Sequence, residues 1–239
     1  MTVKAAHMLS KGYIRAWADA KNRVEVLDIQ DGRGYLASYK GATVVSYVYD
    51  PKILNHDLEQ DYAKVESNGI PAINKLRDGQ SVLTEAERKA LIAFLDMHLD
   101  RGRYANQSKT LAPAIIVKTD GEPENAKLNL GDLLLLSQYL PEVIRMSKLG
   151  IEEWPWRVEQ VNGLVTGDGA VLLWRESGGE EVCTISFPLS PTKLLVIGQP
   201  LADGVPHPNL LLAKNSKRWI VGEIGTLNLN FATAEESQN

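Results

Sequence analysis

The sequence predicts an α+β fold: strands at the N-terminal end, helices in the centre, and a C-terminal antiparallel β-meander. It is read as one main body over residues 1–232 with a disordered tail over 233–239. Three observations carry this expectation. Arg23–Ile29 alternates apolar and polar residues as a half-buried strand does. Thr84 and Glu87 form a capping-box pair in front of a run with helical spacing. From Trp156 onward, short apolar runs are separated by Asn162-Gly163, Gly167-Asp168-Gly169, Gly178-Gly179 and Pro191, a meander signature.

Taken in order, Tyr13–Trp17 suits a short helical segment before the Arg23–Ile29 strand, and Asp31-Gly32 signals a turn. Thr43–Tyr49, rich in Val and Tyr, predicts a second strand closed by Pro51. Leu58, Tyr62 and Val65 place a helix over His56–Ser67, with Gly69 and Pro71 expected to end it. After the Thr84 cap, Leu91, Phe94, Leu95, His98 and Leu99 hold helical spacing up to Gly102. A third helix is expected within Asn129–Leu149, with Pro141 as a break. The C-terminal strands are read at Trp156–Val161, Leu164–Thr166, Ala170–Trp174, Val182–Phe187, Lys193–Ile197 and Arg218–Val221, with a short helix around Asn209–Ser216. Local periodicity leaves open whether the two β regions share a sheet.

Composition is that of an ordinary globular protein, with 44% apolar and 23% charged residues. A chain this long buries enough surface to fold without staples. The single cysteine, Cys183, excludes an internal disulfide and a cysteine zinc cluster, and favours a cytoplasmic setting. The first residues lack the apolar run of a signal peptide. Leu128–Leu140, the most apolar window, is far short of the ~20 residues that a membrane span needs. A net charge of −4 argues against nonspecific nucleic-acid binding, which rests on clustered Lys and Arg.

Several motifs occur in an order that resembles a bacterial and phage-borne family. His7 is followed by Tyr13-Ile14 and Trp17, then by Leu58-Glu59 with Glu66, and by His98 with Arg101. Thr166-Gly167-Asp168 and Phe187-Pro188-Leu189-Ser190-Pro191 come next. The chain resembles the domain of unknown function 4238 family. The resemblance implies a shared α+β fold and a set of candidate positions, and it implies no reaction. This sequence lacks the proline usual after the first His and has Gly167 where a Ser is usual.

The candidate catalytic residues are His7, Glu59, Glu66, His98 and Asp168, with Arg101 and Arg103 as substrate-binding groups. Glu59 and Glu66 lie two helical turns apart, so their carboxylates project at nearly the same angle about 10.5 Å apart along the axis. They suit opposite ends of a polar pocket, or a solvated helix edge. His98 sits inside an apolar stripe, where an unpaired imidazole costs about 1–3 kcal/mol, and Arg101 follows one turn on. The pair reads as an acid/base group beside an anion-binding arginine, or as a structural salt bridge. His7 is a candidate only through the family's opening His. Asp168 between two glycines is explained by turn geometry, or serves as a catalytic or metal-binding carboxylate.

Missing motifs narrow the choice. There is no P-loop, no His-Glu-x-x-His and no Gly-x-Ser-x-Gly elbow. The Asp…Glu-x-Lys nuclease pattern is broken, because Glu181-Val182 is followed by Cys183. For nucleic-acid contact the candidate stretch is Arg88–Lys118, holding Lys89, Arg101, Arg103, Lys109 and the stacking group Tyr104, and interrupted by Asp96 and Asp100. Two functions follow. One is a hydrolase acting on a phosphodiester or nucleotide through a His/Glu/Arg/Asp pocket, with a divalent metal such as Mg on its carboxylates. The other is a protein- or ligand-binding module whose polar cluster is structural.

Overall fold

The computed structural model describes residues 6–45, 58–107, 110–117, 119–140, 142–176, 179–202 and 204–227. The chain opens with a two-residue strand, β1 (Ala6–His7), and a one-turn helix, α1 (Lys11–Ile14), that continues as a 3-10 turn through Trp17. Strands β2 (Arg23–Asp28) and β3 (Arg33–Ser38) form a hairpin through Asp31-Gly32, where Gly32 takes φ +59°. Strand β4 (Val44–Val45) pairs with β1. Thr43 lies in the turn before β4, and residues 46–49 of the predicted Thr43–Tyr49 strand lie outside the described residues, as do His56 and Pro51.

Helices α2 (Leu58–Arg77) and α3 (Glu85–Arg103) dominate the centre. The α3 start is as expected: Thr84 Oγ1 accepts from the Glu87 amide, and the Glu87 carboxylate accepts from the Thr84 amide. The expected stop of α2 at Gly69 and Pro71 is corrected, since the helix runs straight through both. Its second half is held by Ala72, Ile73 and Leu76, each at most 2% exposed. That burial outweighs the missing proline donor. Gly69 marks the closest approach of the two helices instead of an end: a Cβ there would stand 2.7 Å from Phe94 Cβ. Further along the same interface Lys75 pairs with Glu87, so the helices run antiparallel.

A hairpin that the sequence reading did not anticipate follows, β5 (Ala112–Val117) with β6 (Pro123–Leu128). Helix α4 (Leu130–Ser137) has a second capping box, Asn129 with Asp132, and is much shorter than the Asn129–Leu149 window allowed. Pro141, the expected break, lies outside the described residues, and 3-10 turns at Met146–Lys148 and Ile151–Glu153 carry the chain onward. Then come β7 (Trp156–Gln160), β8 (Thr166–Gly167), β9 (Leu172–Arg175), β10 (Val182–Ser190), β11 (Lys193–Gly198), α5 (Pro208–Asn215) and β12 (Trp219–Gly222).

Every described strand pair is antiparallel, so the α+β assignment stands. One four-stranded sheet has the order β7-β11-β10-β9. The other, β3-β2-β12-β8, joins the N-terminal hairpin to strands from the far end of the chain. An aromatic knot ties the helices to the first sheet. Tyr13 stacks on Phe187 at 4.7 Å between centroids and meets Trp17 and Phe94 edge-on at 5.2 and 5.9 Å. Polar tips are satisfied at its edges: Tyr13 donates to the Pro188 carbonyl at 2.6 Å, and Trp17 Nε1 donates to the Leu164 carbonyl at 2.7 Å. Arg77, at the end of α2, clasps the knot by donating to the Tyr13 and Leu189 carbonyls. Burial brings its pKa down to about 10, so it stays charged at neutral pH.

The last turn of α3 lies flat against the chain at Asp168. A Cβ on Gly102 would stand 1.9 Å from the Asp168 carbonyl oxygen. Gly102→Ala is therefore expected to cost about 3 kcal/mol and to lower the melting temperature by about 6–12 °C. Gly41→Ala, with open space around the new methyl group, should leave it within a degree or two. Denaturant and thermal melts of the two variants check this.

Candidate functional site

The α2/α3 interface gathers the first group of candidate residues. Glu59, Tyr62 and Glu66 recur at helical spacing on the face of α2 that meets α3. Arg101, in the last turn of α3, inserts between the latter two: its Nη1 donates to Glu66 Oε1 at 2.6 Å, and its guanidinium lies 4.5 Å from the centre of the Tyr62 ring. Arg101 is 2% exposed and Glu66 21%, so the pair is screened from water on the arginine side. One Glu59 carboxylate oxygen is also sealed from solvent.

His98, one turn back on α3, faces the opposite neighbour. Its Nε2 lies 2.9 Å from the Gly167 carbonyl oxygen, and a carbonyl only accepts, so Nε2 carries the proton. The ring is enclosed by Tyr13 and Phe187 at 5.5 and 5.2 Å, both edge-on, and by Phe94. Burial, aided by the Arg101 charge, pulls its pKa down to about 4, so it is neutral near pH 7.

Just past the end of β8, Asp168 turns its carboxylate toward the chain entering β12. Oδ1 accepts from the Lys217 amide at 2.6 Å, and Oδ2 accepts from the Arg218 and Trp219 amides at 2.8 and 2.9 Å. Burial pushes the carboxyl up to about 6 against the pull of these three donors, which leaves it ionised at neutral pH. Asp168 thus aligns β12 with β8.

The other candidates lie elsewhere. His7 sits in β1 and contacts the Lys40 carbonyl at 2.8 Å. Arg103 donates to Asp100 at 2.9 Å. The expected basic stretch is used internally: Arg88 donates to the Glu152 carbonyl and covers the Trp156 ring, and Lys89 pairs with Glu85. Lys109 and Lys118 lie outside the described residues. Among the described residues, no three His, Cys, Asp or Glu side chains stand close enough to share a metal ion.

A cleft of about 440 Å³ opens on the outer side of α3, and none of the seven candidate residues lines it. Its floor is one face of α3, with Lys89, Ile92, Ala93, Asp96, Met97 and Asp100 following one another at helical spacing. Tyr62 and Val65 of α2 form one wall; Gln138, Arg145, Ser147 and Glu152 form the other. Two buried aspartates build that second wall. Asp96 accepts from the Met146 and Ser147 amides at 2.6 and 3.1 Å. Asp100 takes a bidentate contact from Arg145 at 2.8 and 3.3 Å, and burial raises its pKa against both arginines. Sequence reading treated these aspartates as breaks in a basic stretch. The available signal was their four-residue spacing with Ile92 and Met97, which sets all four on one helix face.

A family model described as a protein of unknown function, DUF4238, matches residues 6–127. The match holds β1, both long helices, and His7, Glu59, Glu66, His98, Arg101 and Arg103, and it stops short of Asp168 and Phe187–Pro191. No curated protein and no solved structure matches the chain.

Because the folded pKa of His98 lies below that of a free imidazole, its protonation opposes folding. The penalty is absent above about pH 6.5, grows as pH falls, and saturates below about pH 4 at about 3 kcal/mol. The raised pKa of Asp168 acts in the opposite sense, since its ionisation penalty is full above about pH 6 and fades on acidification. His98→Gln keeps an N–H donor for Gly167 and removes only the first effect. The stability difference between wild type and His98→Gln should therefore shrink by about 3 kcal/mol between pH 7 and pH 4. Urea unfolding across that range measures it, and a constant difference would mean that His98 stays accessible to solvent protons.

Proposed function

The chain belongs to the domain of unknown function 4238 family, and on the geometry we propose that it is a non-catalytic binding module whose His/Glu/Arg/Asp cluster is a structural frame. The observation that carries this reading is the separation of the cluster from the cleft. His98 Nε2 and both Asp168 carboxylate oxygens are engaged by backbone groups, and Arg101 is buried against Glu66 and Tyr62. The enclosure of the His98 imidazole by Tyr13, Phe94 and Phe187 supports a structural role over acid/base work. The cleft has the volume and the mixed lining of a ligand site, with Ile92, Ala93 and Met97 below, Val65 on one side and Gln138, Arg145 and Ser147 on the other. It suits a small molecule or a side chain of a protein partner with an apolar body and a hydrogen-bonding end.

The rival reading is a hydrolase of a phosphodiester or nucleotide acting through Glu66, His98 and Arg101 with a divalent metal. The two separate on direct assay. Wild-type protein with Mg²⁺ or Mn²⁺ is expected to hydrolyse bis(p-nitrophenyl) phosphate, nucleoside triphosphates and single-stranded DNA no faster than Glu66→Gln. Protein-observed methyl NMR with a fragment library should yield weak binders that shift the Ile92 and Met97 methyl signals. Metal-dependent hydrolysis that Glu66→Gln abolishes, with its melting temperature unchanged, would establish the enzyme instead.

A further inference from the structure

The charges that line the cleft beside α3 are unevenly matched. Both of its cations are engaged: Arg145 is bidentate on Asp100, and Lys89 pairs with Glu85. Of its three carboxylates, Asp96 and Glu152 have no cation within ion-pair reach among the described residues. Asp96 is 9% exposed and takes one backbone amide on each oxygen, from Met146 and Ser147. Each of those oxygens keeps a second lone pair. Glu152 is half-buried and gives its backbone carbonyl to Arg88, which otherwise covers the Trp156 ring.

These two carboxylates stand toward opposite ends of an apolar floor. Glu152 lies beside the early turns of α3, where Arg88 reaches its carbonyl. At that end Glu85 by its hydrogen bond, and Glu152 and Glu153 by their charge, hold the Lys89 ammonium pKa above its usual value. Asp96 follows Lys89 by seven residues, about 10.5 Å along the helix axis. Ile92 and Ala93 lie between the two on the same helix face. Ser147, whose amide is bound to Asp96, adds a hydroxyl to the far end.

We propose that the cleft takes a small aliphatic diamine, with one ammonium on Asp96, the other on Glu152, and the methylene chain along Ile92 and Ala93. This rests on the reading of the cleft as the ligand site of a binding module. An ammonium donates three hydrogen bonds and accepts none, which complements two carboxylates without cations of their own. Its methylenes cover apolar surface while the charged ends stay at the polar margins. An anionic ligand would meet the same two carboxylates and find both cleft cations already paired. A lysine side chain of a protein partner carries one ammonium, and so satisfies only one end.

Calorimetric titration of the full chain at low salt is expected to show 1,5-diaminopentane binding about tenfold tighter than pentylamine, and no binding of pentanoate. Glu152→Gln should reduce the diamine to the affinity of the monoamine without moving the melting temperature. Asp96→Asn should weaken both amines about tenfold. Because Asp96 also holds the 146–147 amides, Glu152→Gln decides the matter if Asp96→Asn fails to fold. Neutral or anionic fragments that shift the Ile92 and Met97 methyl signals while the diamine does not would overturn the diamine and leave the binding module standing. Silence of those methyls toward every fragment would overturn both. A capped lysine amide that binds as tightly as the diamine would point to a partner's side chain and overturn the proposal in that way.

Discussion

The seat of α3 against β8 is the contact on which the rest of the structure depends. Within one helical turn, His98 donates to the Gly167 carbonyl and Gly102 lies against the Asp168 backbone. Immediately after β8, the Asp168 carboxylate gathers three amides of the chain entering β12. Strand β8 is only two residues long, too short to hold its place by ladder bonds. The helix fixes it from one side and the carboxylate from the other. Through β12 this reaches β2 and β3, so the last strand of the described chain, the N-terminal hairpin and the central helix are registered by groups within a few residues of one another.

Acid and base sensitivity are built into that seat with opposite signs. A buried imidazole and a buried carboxylate flank the same short strand, both held by backbone groups, and burial penalises the charged form of each: the protonated form of His98 and the ionised form of Asp168. Near neutral pH both hold the form their partners require: Gly167 needs a donor, and the 217–219 amides need an acceptor. This explains why chemistry-bearing residue types stand here without a cavity. They do backbone work that an apolar side chain would leave undone.

Much of this was legible in sequence, and the failures share a cause. The Thr84–Glu87 cap, the meander and the short helix near Asn209 rest on local rules, and local rules suffice for them. Pro71 misled because tertiary burial of Ile73 and Leu76 decided the helix, not its own donors. The β5–β6 hairpin was invisible because its outward face is apolar and its edges are prolines, the reverse of the usual strand signature. The β3-β2-β12-β8 sheet pairs residues nearly two hundred positions apart, which periodicity does not encode. As for the site, the residues named from sequence as catalytic or substrate-binding include Glu66, His98, Arg101 and Asp168, each of which has a partner inside the fold. The cleft escaped notice because it is the outer face of α3 walled by 3-10 turns, with no motif of its own.

The Glu66–Arg101 pair then poses a question of energetics. A buried ion pair recovers little beyond its desolvation cost, and apolar side chains of similar volume would hold two helices together at least as well. Stability is therefore a poor account of why a buried arginine bridges this interface. Register is a better one. Apolar contacts tolerate a slide of one helix along the other, whereas Arg101 reaches Glu66 and covers Tyr62 in one alignment only. That alignment sets Tyr62 and Val65 beside Ile92 and Met97 as the wall and floor of the cleft. Asp100, the residue before Arg101, fixes the opposite wall through Arg145. Consecutive residues at the end of α3 thus position both sides of the cleft, one by gripping α2 and the other by gripping the 137–152 segment. The polar cluster need not touch a ligand to matter for binding, because the shape of the cleft depends on it.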